Sequence, residues 1–221
     1  RSAMPGVVDG NGLVKRSTLL GWRNVDVRTP IERRFSLPVT VNNDATAAMF
    51  TERLFGKGGP NMMFVRLRRG VGGAVLLGDV PVFGENHAGG EIGHISLDPQ
   101  GPPCACGKRG CLERLVSVTS LHARLQRSDE RMRASILREA GTYLGTALSM
   151  PVGLLDLADV CVYGQSDIVN DTLLSAAQAQ LDLLTGSSFH TRTIIRRCEC
   201  KGEITLRGEA LSVLHDYLEN R

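Results

Sequence analysis

His94, Cys104, Cys106 and Cys111 stand close together in the stretch GGEIGHISLDPQGPPCACGKRGCLE, residues 89–113. One imidazole and three thiolates make a Cys3His set, which Zn2+ accepts tetrahedrally with no position left for water. The soft thiolates disfavour Mg2+ and Ca2+. Gly101, Pro102 and Pro103 turn the chain inward, and Gly107 and Gly110 let it wrap an ion closely. An ion closed in by four protein ligands has a structural role and does no hydrolysis of its own. Glu91 and Glu113 bracket the same loop. If zinc folds it, both carboxylates are held near the ion as fixed hydrogen-bond acceptors, and the second ring nitrogen of His94 can join them. Sugars and other polyols need several rigid donors and acceptors of this kind. Upstream, Asn43-Asp44 ends a strand-like run and opens a helical one. An aspartate there is stabilised as the anion by unpaired helix amides. It suits a hydroxyl acceptor, catalytic or merely binding; the plainer alternative is a helix cap.

The elements that must position these residues read as strands alternating with helices. LPVTVNND is rich in β-branched residues and predicts a strand; DATAAMFTERLFG predicts a helix with Gly56 as its C-cap. NMMFVRL, GGAVLL and VPVF predict a meander with RRG and GD turns. From Glu113 the pattern turns helical, through RLVSVTSLHARLQ and then DERMRASILREAGTYLGTALSM. In the second, Met132, Ile136, Ala140, Leu144 and Leu148 recur every four residues and mark a buried stripe. LADVCVYG predicts a strand with Cys161 as a buried thiol, NDTLLSAAQAQLDLL a helix, RTIIRRC a strand and RGEALSVLHDYL a closing helix. This alternation argues for α/β layers.

With 221 residues, 42% hydrophobic and 22% charged, the chain is an ordinary globular protein with enough length for two modest lobes. No apolar run approaches the roughly 20 residues that span a bilayer. A net charge of +3, with scattered Lys and Arg, gives no nucleic-acid footprint. Cys198 and Cys200, one residue apart, suit neither a simple disulfide nor a full metal set, and nothing requires an oxidising compartment. His87 is expected to be an exposed loop residue; His122, His190 and His215 carry no signal. The opening RSAMPGVVDGNGLV looks like the middle of a domain, with no strand or capped helix ahead of MPGVVD, so an N-terminal part is expected to be missing.

GGEIGH followed by CACGKRGCLE resembles the signature of the ROK family of sugar kinases and sugar-responsive transcriptional repressors. VNNDATAA resembles the family's Asn-Asp segment, RRGVGGAVLLGDVPVFG its glycine-rich meander, MPGVVD its sugar-lobe turn and RGEALSVLHDYL its last helix. The resemblance covers most of residues 4–120 in order. It implies an actin-like, ribonuclease-H-like fold of two α/β lobes with ligand in the cleft. Residues 1–58 would be the remainder of an N-terminal sugar-binding lobe and 59–205 a C-terminal lobe with the zinc loop. Residues 206–221 would be a helix packing back on the first lobe. It also implies that Asn43, Asp44, Glu91, His94 and Glu113 bind sugar hydroxyls, and that His94, Cys104, Cys106 and Cys111 hold zinc. In kinase members the residue matching Asp44 is the general base that activates the sugar hydroxyl.

Phosphoryl transfer also needs loops that cradle ATP phosphates and a bound Mg2+. The family's N-terminal Asp-x-Gly-x-Thr/Ser hairpin is absent from these residues. Arg68-Arg69-Gly70 stands where kinases usually carry Gly-Thr-Gly, and Gly164-Gln165 where an adenosine-binding Gly-Gly pair is expected. LDPQGPPCACGKRGCLE also resembles the regulator branch more than the kinase branch. The expectation is therefore a sugar- or phosphosugar-sensing effector domain of a cytoplasmic ROK-type regulator, as a homodimer or homotetramer. It would reach operator DNA only through a helix-turn-helix not present in this chain. Ligand is expected to close the lobes around Asp44, Glu91 and Glu113 and so reset the spacing of the DNA-binding domains. The alternative is a sugar kinase of hexokinase or glucokinase type that uses ATP and Mg2+, with Asp44 as catalytic base. A third class, a zinc-dependent interaction module without ligand, leaves Asp44, Glu91 and Glu113 idle.

Overall fold

The computed structural model describes residues 2–189 and 191–219. Arg1, His190, Asn220 and Arg221 lie outside the described residues, as do the side chains of residues 212 and 214–219, His215 among them. The chain forms two compact units built from interleaved stretches. The first comprises Arg1–Pro60, Ala74–Glu91 and Cys198–Arg221; the second comprises Asn61–Gly73 and Ile92–Arg197.

In the first unit, β1 (Ser2–Met4) runs parallel to β5 (Val41–Asn43), with Ser2 opposite Val41 and Met4 opposite Asn43. The opening is thus a strand, contrary to expectation. Three residues are too few for a period to register, and their partner lies far along the chain. Between them, β2 (Val7–Val8), β3 (Leu13–Ser17) and β4 (Trp22–Asp26) form an antiparallel meander. Val8, Val14, Val27, Val39 and Val41 are buried together, packed by Met4, Trp22, Val25 and Ile31. A short helix α1 (Arg28–Phe35), none of whose residues is buried, leads back towards β5.

Helix α2 (Asp44–Phe55) follows β5 without a loop. Its cap is Asn43 rather than Asp44: Asn43 Oδ1 accepts the amides of Ala45 at 2.8 Å and Thr46 at 3.1 Å, satisfying donors that the helix leaves open. Helix α7 (Ile204–Glu219) packs on α2. There the Thr51 hydroxyl donates to the Ile204 carbonyl at 2.6 Å, and a Cβ at Gly208 would overlap the Ala47 carbonyl. Glu52, fully buried, ties the segment before α7 to the same helix. Its Oε2 accepts the Cys198 thiol at 3.0 Å and the amides of Glu199 at 3.2 Å and Cys200 at 3.1 Å. Its Oε1 accepts the Lys57 amide at 3.3 Å. Cys198 and Cys200 are free thiols.

The second unit is built on parallel strands β6 (Met62–Leu67), β9 (Asp159–Gly164) and β10 (Ile194–Arg197), with β9 in the middle. Met62–Val65 and Val160–Val162 are buried without alternation, as strands covered on both faces require, and Cys161 is a buried thiol as expected. β7 (Val71–Leu77) carries the chain on into the first unit, where it pairs antiparallel with β8 (Val80–Pro81). The single helical run expected after Glu113 is two helices, α3 (Leu112–Val116) and α4 (Val118–Leu125). They break at Ser117, whose hydroxyl caps the second by accepting the Ser120 amide at 3.3 Å.

Helix α5 (Glu130–Leu155) starts from an Asp129 cap and buries Ile136, Ala140, Leu144 and Leu148. Met132 departs from the expected stripe: it lies in the first turn, ahead of the packed part of the helix, and is 53% exposed. Helix α6 (Asp171–Thr185) lies on α5 where Gly141 and Gly145 bare the backbone. A Cβ at either would overlap the Leu173 or Ala177 carbonyl. Among the described residues no helix is long and apolar enough to cross a membrane.

Candidate metal centre and ligand-reading residues

The ligand atoms of His94, Cys104, Cys106 and Cys111 all lie within 4.8 Å of one another. Cys104 Sγ is 3.6 Å from His94 Nδ1, and Cys106 Sγ is 3.6 Å from Cys111 Sγ. A tetrahedral ion with bonds of about 2.3 Å to sulfur and about 2.05 Å to nitrogen has edges of about 3.8 Å and about 3.5 Å respectively. The measured edges are close to both, so the donor set fits a four-coordinate thiophilic cation.

Local backbone geometry explains why these residues converge. The Cys104 amide donates to the Lys108 carbonyl at 2.8 Å and the Gly107 amide to the Cys104 carbonyl at 3.0 Å, closing a turn over Gly107, whose φ is 96°. Gly110, at φ 58°, lies so close to Asp98 that a Cβ would overlap the Asp98 carbonyl oxygen; only glycine serves there. Short bridges pair Ser96 with Cys111 and Pro103 with Arg109. His94 ends a 3-10 turn, Ile92–His94, and Cys111 opens α3. Burial pushes the Cys111 thiol up to about 12, helped by the neighbouring thiols. At Cys106 burial also raises the pKa, but the Lys108 amide and the adjacent thiols outweigh it and the thiol is lowered. A bound cation would favour the thiolate at all three positions.

The other expected ligand readers occupy different places. Asn43 and Asp44 sit together at the β5–α2 junction, Asp44 as the first helical residue. Besides capping α2, Asn43 donates through Nδ2 to the Gly6 carbonyl at 3.0 Å, so it joins the Pro5-Gly6 turn to the start of the helix. Glu91 is half-buried and ends the middle stretch of the first unit. Glu113 stands in the first turn of α3, two residues beyond Cys111. Its Oε2 accepts the Val71 amide at 3.2 Å, a contact that nothing in the linear spacing announces. The residue that permits it was visible as the glycine of Arg68-Arg69-Gly70, because a Cβ on Gly70 would come 2.7 Å from that oxygen. A second unannounced pair joins His122 Nε2 to Asp167 Oδ2 at 2.7 Å. His87, expected to be exposed, is half-buried at φ 57°, with its ring 5.7 Å from that of Phe83.

Residues 2–148 match the model of the ROK family. The chain belongs to the ROK family. Among ROK relatives, the xylose repressor of Bacillus subtilis (strain 168) is 30% identical over 131 residues, which are 58% of this chain and 34% of the repressor. The glucokinase of Halalkalibacterium halodurans is 38% identical over 121 residues, 53% of this chain and 37% of the enzyme. The chain therefore spans little more than a third of the length of these relatives. A solved ROK family transcriptional regulator, a homologue of the E. coli MLC protein, superposes with a TM-score of 0.82 at 23% identity. That match covers 95% of this chain and 61% of the regulator. The ROK chain thus has the actin-like ATPase fold, with its mixed α/β units. ROK kinases and ROK repressors both stand among its relatives.

Proposed function

We propose that this ROK chain is the sugar- or phosphosugar-sensing part of a transcriptional regulator, with zinc at its Cys3His cluster and without phosphoryl transfer. The observation that carries this reading is the loop after β6. Where family kinases carry Gly-Thr-Gly, it reads Arg68-Arg69-Gly70, which removes the hydroxyl and much of the backbone freedom. In this reading Asn43, Asp44, Glu91, His94 and Glu113 read sugar hydroxyls. Asp44 accepts a hydroxyl as an anion favoured by the start of α2, while Asn43 fixes the direction of that helix start. Glu113 can accept a hydroxyl through one oxygen while the other keeps the Val71 amide. Zinc, when bound, would supply a rigid cross-link among His94, Cys104, Cys106 and Cys111. It would thereby fix Glu113 through Cys111 and leave the imidazole Nε2 facing away from the ion. Contact with operator DNA would belong to a segment other than these residues.

Calorimetric titration of aldoses and their phosphates into the zinc-loaded protein tests the reading. At least one ligand should bind, and Asp44→Asn and Glu91→Gln should each weaken it at least about tenfold, as loss of a charged hydrogen-bond partner does. No binding across the panel would sink the proposal.

The second reading, an ATP-dependent sugar kinase with Asp44 as general base, is favoured by the 38% identity to a glucokinase. It requires sugar-dependent ADP release that Asp44→Asn abolishes.

A further inference from the structure

We infer that the cavity at the ends of helices α5 and α6 is a second ligand site, one that takes a small organic ammonium ion with a short alkyl chain. The cavity lies wholly within the second unit and has a volume of about 290 Å3. That is the room of roughly ten waters, enough for an alkyl diamine. Among the described residues, none that lines it belongs to the metal cluster or to the proposed sugar-reading set. Its apolar wall is Val152 and Leu157, both buried, against which methylene groups can pack.

The rest of the lining asks for hydrogen-bond donors and positive charge. The hydroxyl of buried Thr193 donates to the Leu157 carbonyl at 2.7 Å, and that of Thr185 to the Leu181 carbonyl at 2.8 Å. With their protons spent, both oxygens remain as acceptors. Asp156, the left-handed C-cap of α5 at φ 50°, and Asp182, in the last turn of α6, add carboxylates. Among the described lining residues the one cation is Arg192. It gives Nε and Nη2 to Asp182 Oδ2 at 3.2 and 2.7 Å, and so offsets that carboxylate alone. The last turns of both helices add to Asp156. Each helix end carries about half a negative charge, and neither α5 nor α6 has a basic residue in its last turn to neutralise it. An ammonium group brings three donors, no acceptor and a positive charge, which is what this lining lacks. The chain as a whole carries +3, so a cation drawn here is held by the local lining and not by overall charge. The inference holds whichever sugar the protein reads, so it stands or falls apart from the sensor reading.

The test is calorimetric titration of cadaverine, an alkyl diamine, into the zinc-loaded chain at low ionic strength, with 1,5-pentanediol as the uncharged analogue. Wild type should bind cadaverine saturably, one molecule per chain, and show no saturable binding of the diol. Gly153 lines the cavity, and a Cβ there would meet nothing within 4 Å. Gly153→Leu therefore fills the space with a better helix former. It should lose cadaverine binding while its melting temperature does not fall. Asp156→Asn keeps a residue that accepts the left-handed cap, and should weaken binding about threefold to fivefold, as loss of an exposed ion-pair partner does. No saturable binding by wild type, binding that survives Gly153→Leu, or equal binding of the diol overturns the proposal. If Gly153→Leu does not fold, Asp156→Asn and the diol still decide. A lysine-rich peptide that binds here where cadaverine does not would assign the cavity to a protein partner and overturn the small-ligand proposal.

Discussion

Three thiols and an imidazole within 4.8 Å of one another are stable together as a metal centre far more readily than as a set of neighbouring thiols. Wild-type protein should carry one zinc per chain by elemental analysis, and Cys106→Ser should lose the metal and lower the melting temperature. A metal-free wild-type protein with unchanged stability would contradict the assignment. Because binding must displace the proton from Cys111, whose thiol burial pushes up to about 12, zinc affinity should rise with pH. The clustering of His94, Cys104, Cys106 and Cys111 was legible in the sequence because all four lie within one short loop with glycine and proline turns. Glu52 was not legible, since its partners are 146 to 148 positions away and a lone glutamate in a helix reads as solvated. Its replacement by alanine strands the Glu199 and Cys200 amides, and should cost about 3 kcal/mol in chemical unfolding. A change below half a kilocalorie would show that water replaces the carboxylate.

At the scale of elements, the junctions decide. Asn43→Ala removes both the α2 cap and the tie to Gly6, and should cost about 1–2 kcal/mol by chemical unfolding. Gly145→Ala forces α5 and α6 apart at the Ala177 carbonyl, and should cost about 1–3 kcal/mol. The same change at Gly153, which has no close neighbour, should not destabilise. At the end of α6, the hydrogen bond from Arg192 holds the Asp182 carboxyl below its usual range, against burial and with help from Gln178. A lowered folded pKa means stability present above the unfolded value and lost as pH falls through the folded one. Asp182→Asn should therefore cost less than about 1 kcal/mol at neutral pH, since both partners are more than a third exposed, and the difference should vanish in acid. Long periodic helices such as α5 and α6, and the apolar strands β6 and β9, were legible because burial imposes their pattern. The break at Ser117 and the strand Ser2–Met4 were not, because a single cap and a three-residue pairing leave no period to read.

At the scale of the whole molecule, ROK membership and the actin-like ATPase fold follow from motifs that keep their order along the chain. The assembly of one unit from three separate stretches, and of the other from two, rests on contacts between distant residues that local patterns do not express. The proposed sensor reading rests on something narrower still, the three residues Arg68-Arg69-Gly70 after β6. The most direct measurement is a 31P spectrum of Mg-ATP incubated with the zinc-loaded protein and each sugar it binds by calorimetry. The sensor account predicts unchanged nucleotide signals and no sugar-phosphate resonance. A sugar-phosphate signal that grows with time, and is absent with Asp44→Asn, would contradict it.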